Sequence, residues 1–332
     1  MDIYYVITKN CNLHCSFCIR RNLTLKNTDF VSIDNFISSC EILTKAYPGS
    51  SLVLTGGEPF THPDFFRMLM FSMDKFKRVI INSNGTFNNN CLDKLKPYLV
   101  KNVYLQVSID GPQYIHDRYR GKGVYSKCLE NIKLLAKYSN HITISTTVLK
   151  DNIVYINELA KLLNTMSFHH WKVSPEQVVD CDSSKLIPYE EWNQFVDRLL
   201  PLCKFRVHIK KLFYFDLWDK YQDVLSKNNI DAIHSNCGLG RDKLYVTPEG
   251  NVQLCTCFQN VIGNLFKEPI DSIIERIVIR SRIEISEKSP CYTCRYKLLC
   301  NGGCPSYSNK YFGAMNMGDP RCPIIQSKYE KH

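Results

Sequence analysis

The chain has 332 residues, of which 44% are hydrophobic and 22% are charged, and its formal net charge is +10. This composition is ordinary for a soluble globular protein and leaves room for one large and one smaller domain. No apolar run reaches the roughly 18 residues of a membrane-spanning helix. The positive excess forms no Lys/Arg tract of nucleic-acid type, so we expect a generally basic surface, which would also suit an acidic peptide leader or a phosphate backbone.

Short β-branched runs alternate with stretches of helical spacing through the first 210 residues. The first run lacks the basic region and cleavage site of a signal peptide and is interpreted as a strand. Six strands interleaved with helices predict a parallel α/β sheet. The predicted strands are 3–8, 51–55, 78–83, 102–109, 141–148 and 168–173, and the predicted helices are 33–47, 63–76, 89–98, 125–138 and 154–163.

A bridging segment and a cysteine-rich C-terminal part follow. Their predicted elements are helices at 188–200, 213–225 and 270–285, a strand at 204–209, and a β-hairpin at 243–255 that turns at 248–250. Three cysteines that fall in predicted helices are expected to be small buried hydrophobic residues: Cys40, Cys91 and Cys128.

The most informative motif directly follows the first strand. Cys11, Cys15 and Cys18 have CxxxCxxC spacing, and a Gly-Gly-Glu-Pro run follows the second strand at 56–59. Three thiolates on one loop can hold three irons of a cubane cluster and leave the fourth iron open to another ligand. A zinc loop would use similar spacing, so zinc is the alternative at this point.

This loop, including Phe17 before its third cysteine, resembles the cluster loop of the radical S-adenosylmethionine (SAM) enzymes. The resemblance implies a partial (β/α)6 barrel, a [4Fe-4S] cluster that binds SAM, and reductive cleavage of SAM to a 5′-deoxyadenosyl radical. Because ligand sites in parallel barrels gather at the carboxyl ends of the strands, both motifs fall where that fold would need them. The run at 56–59 matches the family's GGE motif, which implies SAM contacts by Gly56, Gly57, Glu58 and Pro59. Glycines permit close backbone approach, and a carboxylate suits the methionine ammonium.

Two further motifs follow the next strands. The third strand ends in Asn82-Ser83-Asn84-Gly85-Thr86, which implies a SAM contact by Asn84, and the fourth ends in Ser108-Ile109-Asp110-Gly111-Pro112. By the same resemblance, Ser108 and Asp110 are ribose or methionine contacts, and Arg120 is matched to the SAM carboxylate by its planar fork. Taken alone, Asn-Gly and Asp-Gly-Pro would be interpreted as turns.

The C-terminal cysteines form a second constellation. Its members are Cys237, Cys255, Cys291, Cys294, Cys300, Cys304 and Cys322. The spacing resembles the seven-cysteine SPASM domain, which carries auxiliary [4Fe-4S] clusters in radical SAM enzymes that act on peptides and proteins. The resemblance implies a boundary at residue 237, with the barrel at 1–210 and a helical bridge at 211–236. Structural zinc is the alternative for CxxC pairs.

The resemblance also implies two ligand sets. Cys291, Cys294, Cys300 and Cys322 would hold an outer auxiliary cluster, and Cys237, Cys255 and Cys304 an inner one. In some relatives, a cysteine just before the motif completes the inner set, but residues 226–236 contain none. Cys257, the more distant Cys203 or Cys181, or an open iron would then supply the fourth position.

Together the motifs predict a radical SAM oxidoreductase that oxidatively modifies a peptide or protein, for example a ribosomal-peptide maturase that cross-links side chains. The alternatives are a peptide epimerase or sulfatase-maturase-like enzyme, a radical SAM enzyme with a small-molecule or porphyrin-like substrate, and a non-catalytic iron–sulfur or zinc protein. Anaerobic sulfatase-maturating enzymes place a catalytic Asp where this chain has Thr256, which disfavours that reaction. No catalytic acid or base is identified.

Partners and location follow from the same interpretation. Low-potential cluster chemistry needs an electron donor such as flavodoxin or ferredoxin and a reducing, oxygen-poor interior, so a bacterial-type cytoplasm is expected. Because the cluster loop begins at residue 11, leader recognition is expected to fall to the bridge, a C-terminal surface or a separate protein, or to be absent. Neither membrane nor nucleic acid is an expected partner.

Overall fold

The computed structural model describes residues 1–20, 30–99, 101–177, 182–209, 211–215, 219, 238–257 and 260–329. Its central feature is a sheet whose first six strands lie side by side in chain order and run parallel. These strands are β1 (Asp2–Thr8), β2 (Ser51–Gly56), β3 (Arg78–Ser83), β4 (Val103–Ser108), β5 (Ile142–Val148) and β6 (His170–Pro175). The predicted parallel α/β architecture is therefore confirmed.

Helices connect the strands and cover one face of the sheet. They are α1 (Ile33–Ala46), α2 (Phe65–Lys75), α3 (Asn89–Leu95), α4 (Gln113–Arg120), α5 (Val124–Ala136) and α6 (Ile156–Leu163). Apolar residues of these helices and of the strands' outer face form one core, in which Cys40 and Cys128 are buried as predicted, whereas Cys91 is only partly buried. The burial of this face is the main stabilising contribution to the barrel.

The opposite face of the strands is polar. On β4, the apolar residues 103, 105 and 107 are buried, while Tyr104, Gln106 and Ser108 between them are only partly buried. Gln106 pairs in register with Thr143, which pairs with His170, so polar side chains form a row across three strands. The interior of the partial barrel can therefore hold a polar ligand.

The predicted hairpin forms and also extends the barrel sheet. Strand β7 (Val207–His208) follows β6 at one edge, and β8 (Lys243–Val246) lies parallel to β1 at the other. Strands β9 (Asn251–Gln253) and β10 (Val261–Asn264) continue antiparallel beyond β8. Over the described residues the sheet thus has ten strands, and Tyr4 of β1 stacks on Tyr245 of β8 with ring centroids 4.7 Å apart.

The remaining helices follow the six parallel strands in the chain. They are α7 (Tyr189–Leu199), α8 (Ile270–Ser281), α9 (Lys297–Cys300), α10 (Pro305–Phe312) and α11 (Pro323–Tyr329). Helix α8 turns Ile273 and Ile277 into the main core, as predicted. A second, smaller core contains Phe213, Ile285, Cys291, Cys322 and Ile325.

Some sequence-based element predictions were wrong. Residues 113–120, for which no element was predicted, form α4. The strand predicted at 204–209 is reduced to the two residues of β7, and β6 begins two residues later than predicted. The helix predicted at 213–225 falls largely outside the described residues. Within the described part of the chain, no helix is long and apolar enough to cross a membrane.

Candidate functional site

The cluster loop lies at the carboxyl end of β1 and is held against α4. The amide of Asn10 donates to the Thr8 hydroxyl at 3.0 Å, which turns the chain as it leaves the strand. Further along, the Ser16 amide donates to the Tyr119 carbonyl at 3.1 Å, and the Cys18 amide donates to the Cys15 carbonyl at 3.2 Å. The three predicted cluster cysteines are therefore placed on a loop that is anchored at both of its sides.

The paired glycines after β2 let that loop pass very close. The Gly57 amide donates to the Thr8 carbonyl at 2.8 Å, and the Glu58 amide donates to the Asn10 carbonyl at 2.7 Å. A Cβ on Gly57 would lie 2.0 Å from the Asn10 carbonyl oxygen, and one on Gly56 would lie 2.2 Å from that of Thr8. The close approach that these glycines permit in the described structure is thus to the cluster loop.

Glu58 is held rigidly beneath the end of β3. Its side chain is only 2% exposed, and its two oxygens accept hydrogen bonds from the Ser83 hydroxyl and the Asn84 amide, both at 2.8 Å. Burial raises the pKa of Glu58 to about 7, and the hydrogen bonds offset only part of that effect. Among the described residues Glu58 forms no ion pair. A bound ammonium group would therefore find an oriented and under-compensated carboxylate.

Asn84 links β3 to the cluster loop. Its side-chain amide donates to Asn12 at 2.8 Å and lies 4.0 Å from the Cys11 sulfur. Asn12 in turn donates to the Thr86 hydroxyl at 2.8 Å. This network orients the loop around Cys11 and supplies an N–H near its sulfur. Asn12 was missed by the sequence reasoning, because only the folded chain brings it to the end of β3.

Asp110 and Arg120 form a buried ion pair at the carboxyl end of β4. The Arg120 Nε lies 2.5 Å from one oxygen of Asp110, and the Thr147 amide donates to the other at 2.8 Å. The Arg120 Nη1 is 3.9 Å from the Cys15 sulfur, and the guanidinium lies 5.3 Å from the centre of the Phe17 ring. Arg120 therefore brings positive charge to the cluster loop while Asp110 fixes its orientation.

The residues between Asp110 and Arg120 support this pair. The Asp110 amide donates to His116 Nδ1 at 3.1 Å, so the neutral ring carries its proton on Nε2, which has no hydrogen-bond partner among the described residues. Burial lowers the pKa of His116 to about 4. The Asp117 carboxylate accepts the amides of Gly123 and Tyr125 at 2.9 and 2.8 Å and so fixes the start of α5. These roles were not predicted, because the pattern alone does not distinguish structural from ligand-binding residues.

The other predicted SAM contacts lie at the same edge of the sheet. Pro59 is buried and begins a single 3₁₀ turn at Pro59–Thr61. Ser108 is partly buried on the inner face of β4, where it pairs in register with Ser145. The predicted residues thus surround the cluster loop from the ends of β2, β3 and β4.

The donor set of this loop fits a cluster better than a single ion. Three thiolates that bind a cubane cluster each take a different iron and need not converge on one point. In the described part of the chain, no group of three or more His, Cys, Asp or Glu side chains is arranged to hold one metal ion. The N–H groups of Asn84 and Arg120 near two of the sulfurs would offset part of the negative charge of a thiolate-bound cluster.

A second group of cysteines lies beside the hairpin. The Cys257 amide donates to the Cys255 sulfur at 3.4 Å, and the two thiols are within hydrogen-bonding reach of one another. Cys304 is close enough to raise the pKa of Cys255, to which hydrogen bonding with Cys257 and burial contribute more. Cys203 instead donates to the Leu199 carbonyl at 3.4 Å on α7. Cys237 and Cys181 lie outside the described residues.

The four cysteines of the predicted outer set are brought together. Burial raises the pKa of Cys300, and the proximity of Cys322, Cys291, Asp319 and Cys294 adds to the effect. Cys291 and Cys322 are both buried in the smaller core. Such a set is unfavourable as free thiolates and would be stabilised by iron.

Comparison with protein-family models finds two matches. Residues 5–163 match the model described as the radical SAM superfamily, and residues 237–296 match one described as an iron–sulfur cluster-binding domain, SPASM. Similar proteins include an AdoMet-dependent heme synthase of Methanosarcina barkeri, 27% identical over 96% of this chain and 95% of the relative. The subtilosin biosynthesis protein AlbA of Bacillus subtilis is 25% identical over 92% of this chain and 68% of its own length. A cysteine-type anaerobic sulfatase-maturating enzyme of Clostridium novyi is 24% identical over 98% of this chain and 93% of its own length.

Solved structures share the fold. Native anSMEcpe with bound AdoMet superposes with a TM-score of 0.74 at 18% identity, covering 99% of this chain and 96% of that one. Streptococcus suis SuiB bound to precursor peptide SuiA superposes with a TM-score of 0.75 at 15% identity, covering 98% of this chain and 75% of SuiB. These structures show the shared fold, while the two family-model matches confirm the resemblance to the radical SAM and SPASM families.

Replacement of Gly57 by Ala should separate the cluster loop from β2. We expect Gly57→Ala to lower the free energy of unfolding by about 1–3 kcal/mol, since the added methyl group has no room beside the Asn10 carbonyl. The variant should also lose iron from the first cluster. The measurements are denaturant unfolding of the metal-free protein and iron content after anaerobic reconstitution. In the control Gly313→Ala, the new methyl would meet nothing within 4 Å, so only the cost of its left-handed backbone applies. Equal behaviour of the two variants would contradict the packing role of Gly57.

Neutralising Glu58 should stabilise the metal-free protein in a pH-dependent way. Because burial raises the pKa of Glu58 from 4.5 to about 7, its ionisation opposes folding fully above pH 7 and not at all below about pH 4.5. We therefore expect Glu58→Gln to raise the free energy of unfolding by roughly 1–3 kcal/mol at pH 8. The gain should fade as the pH falls to 5. Urea titrations at pH 8 and pH 5 measure this gain. A gain of equal size at both pH values would show that the charge of Glu58 does not destabilise the folded protein.

Proposed function

This chain is a radical SAM enzyme that carries a SPASM domain, and from that premise we propose that it oxidatively modifies a peptide or protein substrate. The observation that carries the proposal is the continuous sheet, in which the strand that bears the cluster loop pairs directly with the hairpin that bears the auxiliary cysteines. Both redox centres are thereby held beside one polar barrel interior. The likeness to AlbA, a bacteriocin biosynthesis protein, supports a peptide substrate.

The cofactors are SAM and [4Fe-4S] clusters, and we assign their ligands as follows. Cys11, Cys15 and Cys18 hold the SAM-binding cluster, and two auxiliary clusters use the inner and outer cysteine sets defined above. When bound, SAM and these clusters would supply the radical and electron-transfer chemistry of a net two-electron oxidation.

The protein's own groups position SAM in this proposal. The oriented carboxylate of Glu58 accepts the methionine ammonium, and the remaining N–H groups of Arg120 face the methionine carboxylate. Asn84 donates near Cys11, while Ser108 on the inner face of β4 offers a hydroxyl to the ribose. Asp110 acts mainly through Arg120, because both of its carboxylate oxygens already accept hydrogen bonds. An electron donor such as flavodoxin or ferredoxin would reduce the clusters.

Cys257 is our proposed fourth ligand of the inner cluster. It is next to Cys255 in space, whereas the Cys203 thiol donates to the Leu199 carbonyl at the end of α7. Its thiol also donates to Gln177 at 3.7 Å, which keeps it directed toward the end of β6.

The Thr256 between the two cysteines lines a separate cavity of about 280 Å³ beside the Lys9–Glu249 ion pair. Sulfatase-maturating enzymes have a catalytic Asp at this position, and a threonine cannot replace it as a general base. We therefore disfavour a sulfatase-maturase reaction, although the chain is similar to those enzymes.

A porphyrin-like substrate is the second candidate. It is favoured by the likeness to an AdoMet-dependent heme synthase along nearly the whole of both chains. The two candidates separate in one assay, in which the reduced enzyme and SAM are incubated with a precursor peptide encoded beside the gene or with an iron porphyrin. Mass spectrometry of the peptide, or the absorption spectrum of the porphyrin, identifies which substrate is changed.

The cofactor assignment predicts a defined loss of iron. The reconstituted protein should contain about twelve irons per chain, and the Cys11/Cys15/Cys18→Ala variant about eight.

Wild-type protein should form 5′-deoxyadenosine from SAM under strong reductant, and Glu58→Ala should abolish this because it removes the ammonium ligand. Zinc in place of iron would overturn the proposal, and full cleavage by Glu58→Ala would overturn the role of Glu58.

The role of Cys257 is tested by its own variant. We expect Cys257→Ser to lose up to about four irons, or to change the paramagnetic resonance signal of one auxiliary cluster while the SAM-binding cluster stays unchanged. Cys203→Ser is the matched control and should keep both the iron content and the signals. Normal iron and signals in Cys257→Ser would assign the fourth position to another ligand.

A further inference from the structure

A cavity of about 720 Å³ lies between the end of β6 and the C-terminal cysteines. Its walls come from β6, from the segment after β7, from the start of β8, and from the loop that carries Cys300 and Cys304. The volume is in the range of small-molecule sites, and the cavity lies outside the SAM contacts assigned above.

The charged lining of this cavity is unbalanced. Arg321 is paired with Asp319, and Lys211 is paired with Asp197, so these two cations are compensated. Lys172 and Lys243 form no ion pair or hydrogen bond with any residue that the structure describes, although both line the cavity. The other titratable lining groups are His208, Tyr214, Asp242, Cys300 and Cys304, of which Asp242 is exposed.

The two lysines reach the cavity from strands on opposite sides of the six-stranded parallel sheet. Lys172 lies on the inner face of β6, in register with Ser145 and His208, while Lys243 begins β8, in register with Asp2. Burial lowers the pKa of Lys172, and the charge of Lys243 lowers it further, while Asp2 acts in the opposite direction. Two partly desolvated ammonium groups that repel each other would be stabilised by an anion between them.

We propose that Lys172 and Lys243 bind a carboxylate of the substrate in this cavity. The inference rests on the proposed function, since both substrate candidates carry this group: a peptide as an acidic side chain or C-terminus, and a porphyrin as a propionate. Lys172, Ser145 and Ser108 form one row across the inner face of the barrel. A substrate anchored at the lysines would therefore extend through the interior toward the proposed ribose contact.

The position also suits the redox chemistry. Gln177 lines the cavity and accepts the hydrogen bond from the Cys257 thiol at 3.7 Å. Cys300 and Cys304, assigned to the two auxiliary clusters, form part of the same wall. The anchored part of the substrate would thus lie beside the groups that are expected to accept its second electron.

Binding of defined probes tests this inference without turnover. The probes are pentaglutamate against pentaglutamine, and coproporphyrin III against its tetramethyl ester, each titrated calorimetrically into the reconstituted protein. We expect the acid form of at least one pair to bind at least tenfold more tightly than its neutral counterpart. The Lys172→Gln/Lys243→Gln variant should lose that preference. The pair that shows it identifies the source of the carboxylate.

Three controls make the result decisive. Lys96→Gln removes the same charge from a lysine that pairs with Asp93 after α3, and it should bind like wild type. Lys243→Arg keeps the positive charge and should retain most of the binding, while iron content and thermal unfolding verify that each variant folds. An acid preference that survives in the double variant, or equal binding of inorganic phosphate through the same lysines, overturns the proposal. Failure of the wild-type protein to cleave SAM would refute the proposed function. The binding result could still be interpreted, because the titration does not require turnover.

Discussion

The structure depends first on the contact between two stretches of backbone at the carboxyl ends of β1 and β2. Parallel neighbouring strands leave a sheet at the same edge, so the loops that follow them must either diverge or touch. Here they touch, because Gly56 and Gly57 carry no Cβ and the amides of residues 57 and 58 continue the hydrogen bonding beyond the sheet. This contact fixes the start of the cluster loop, and the same turn of the chain directs Glu58 beneath β3.

The charges of the site follow from that geometry. Among the described residues, Glu58 is buried with hydrogen-bond donors but forms no ion pair, whereas Asp110 is buried with Arg120 as its partner. A carboxylate that is left without a counter-charge costs free energy in the empty protein, and that cost is relieved when an ammonium binds. Lys172 and Lys243, which line the cavity beside β6, have the opposite imbalance. In the proposal, one polar interior would then offer a point that binds a cation and another that binds an anion, which would give a bound substrate a fixed direction relative to SAM.

Much of the fold was predictable from the sequence, for physical reasons. The six barrel strands are β-branched runs between helical stretches, and such local patterns survive in the fold because each strand buries one face against helices. The motif after β1 and the cysteine spacing were equally readable, because cluster ligands need fixed residue types. Helix α4 was missed because its eight residues are mostly charged and aromatic, so they lack the apolar spacing by which a helix is recognised in a sequence. Asn12 and Lys172 were missed because Asn84 and Lys243, which lie near them in the fold, are distant in the chain, and no local pattern records such proximity.

The pairing of β8 with β1 explains how a chain with two differently built halves can bring its redox centres together. The sequence changes character near residue 237, yet the sheet does not end there, since β8, β9 and β10 continue it beyond β1. The hairpin tip is also tied to the cluster loop, because Glu249 pairs with Lys9 directly after β1. β1 therefore carries the cluster cysteines at its carboxyl end and the auxiliary hairpin along its edge. A rigid strand shared in this way sets the distance between the centres through backbone hydrogen bonds, which tolerate far less displacement than a contact between two separately folded surfaces would.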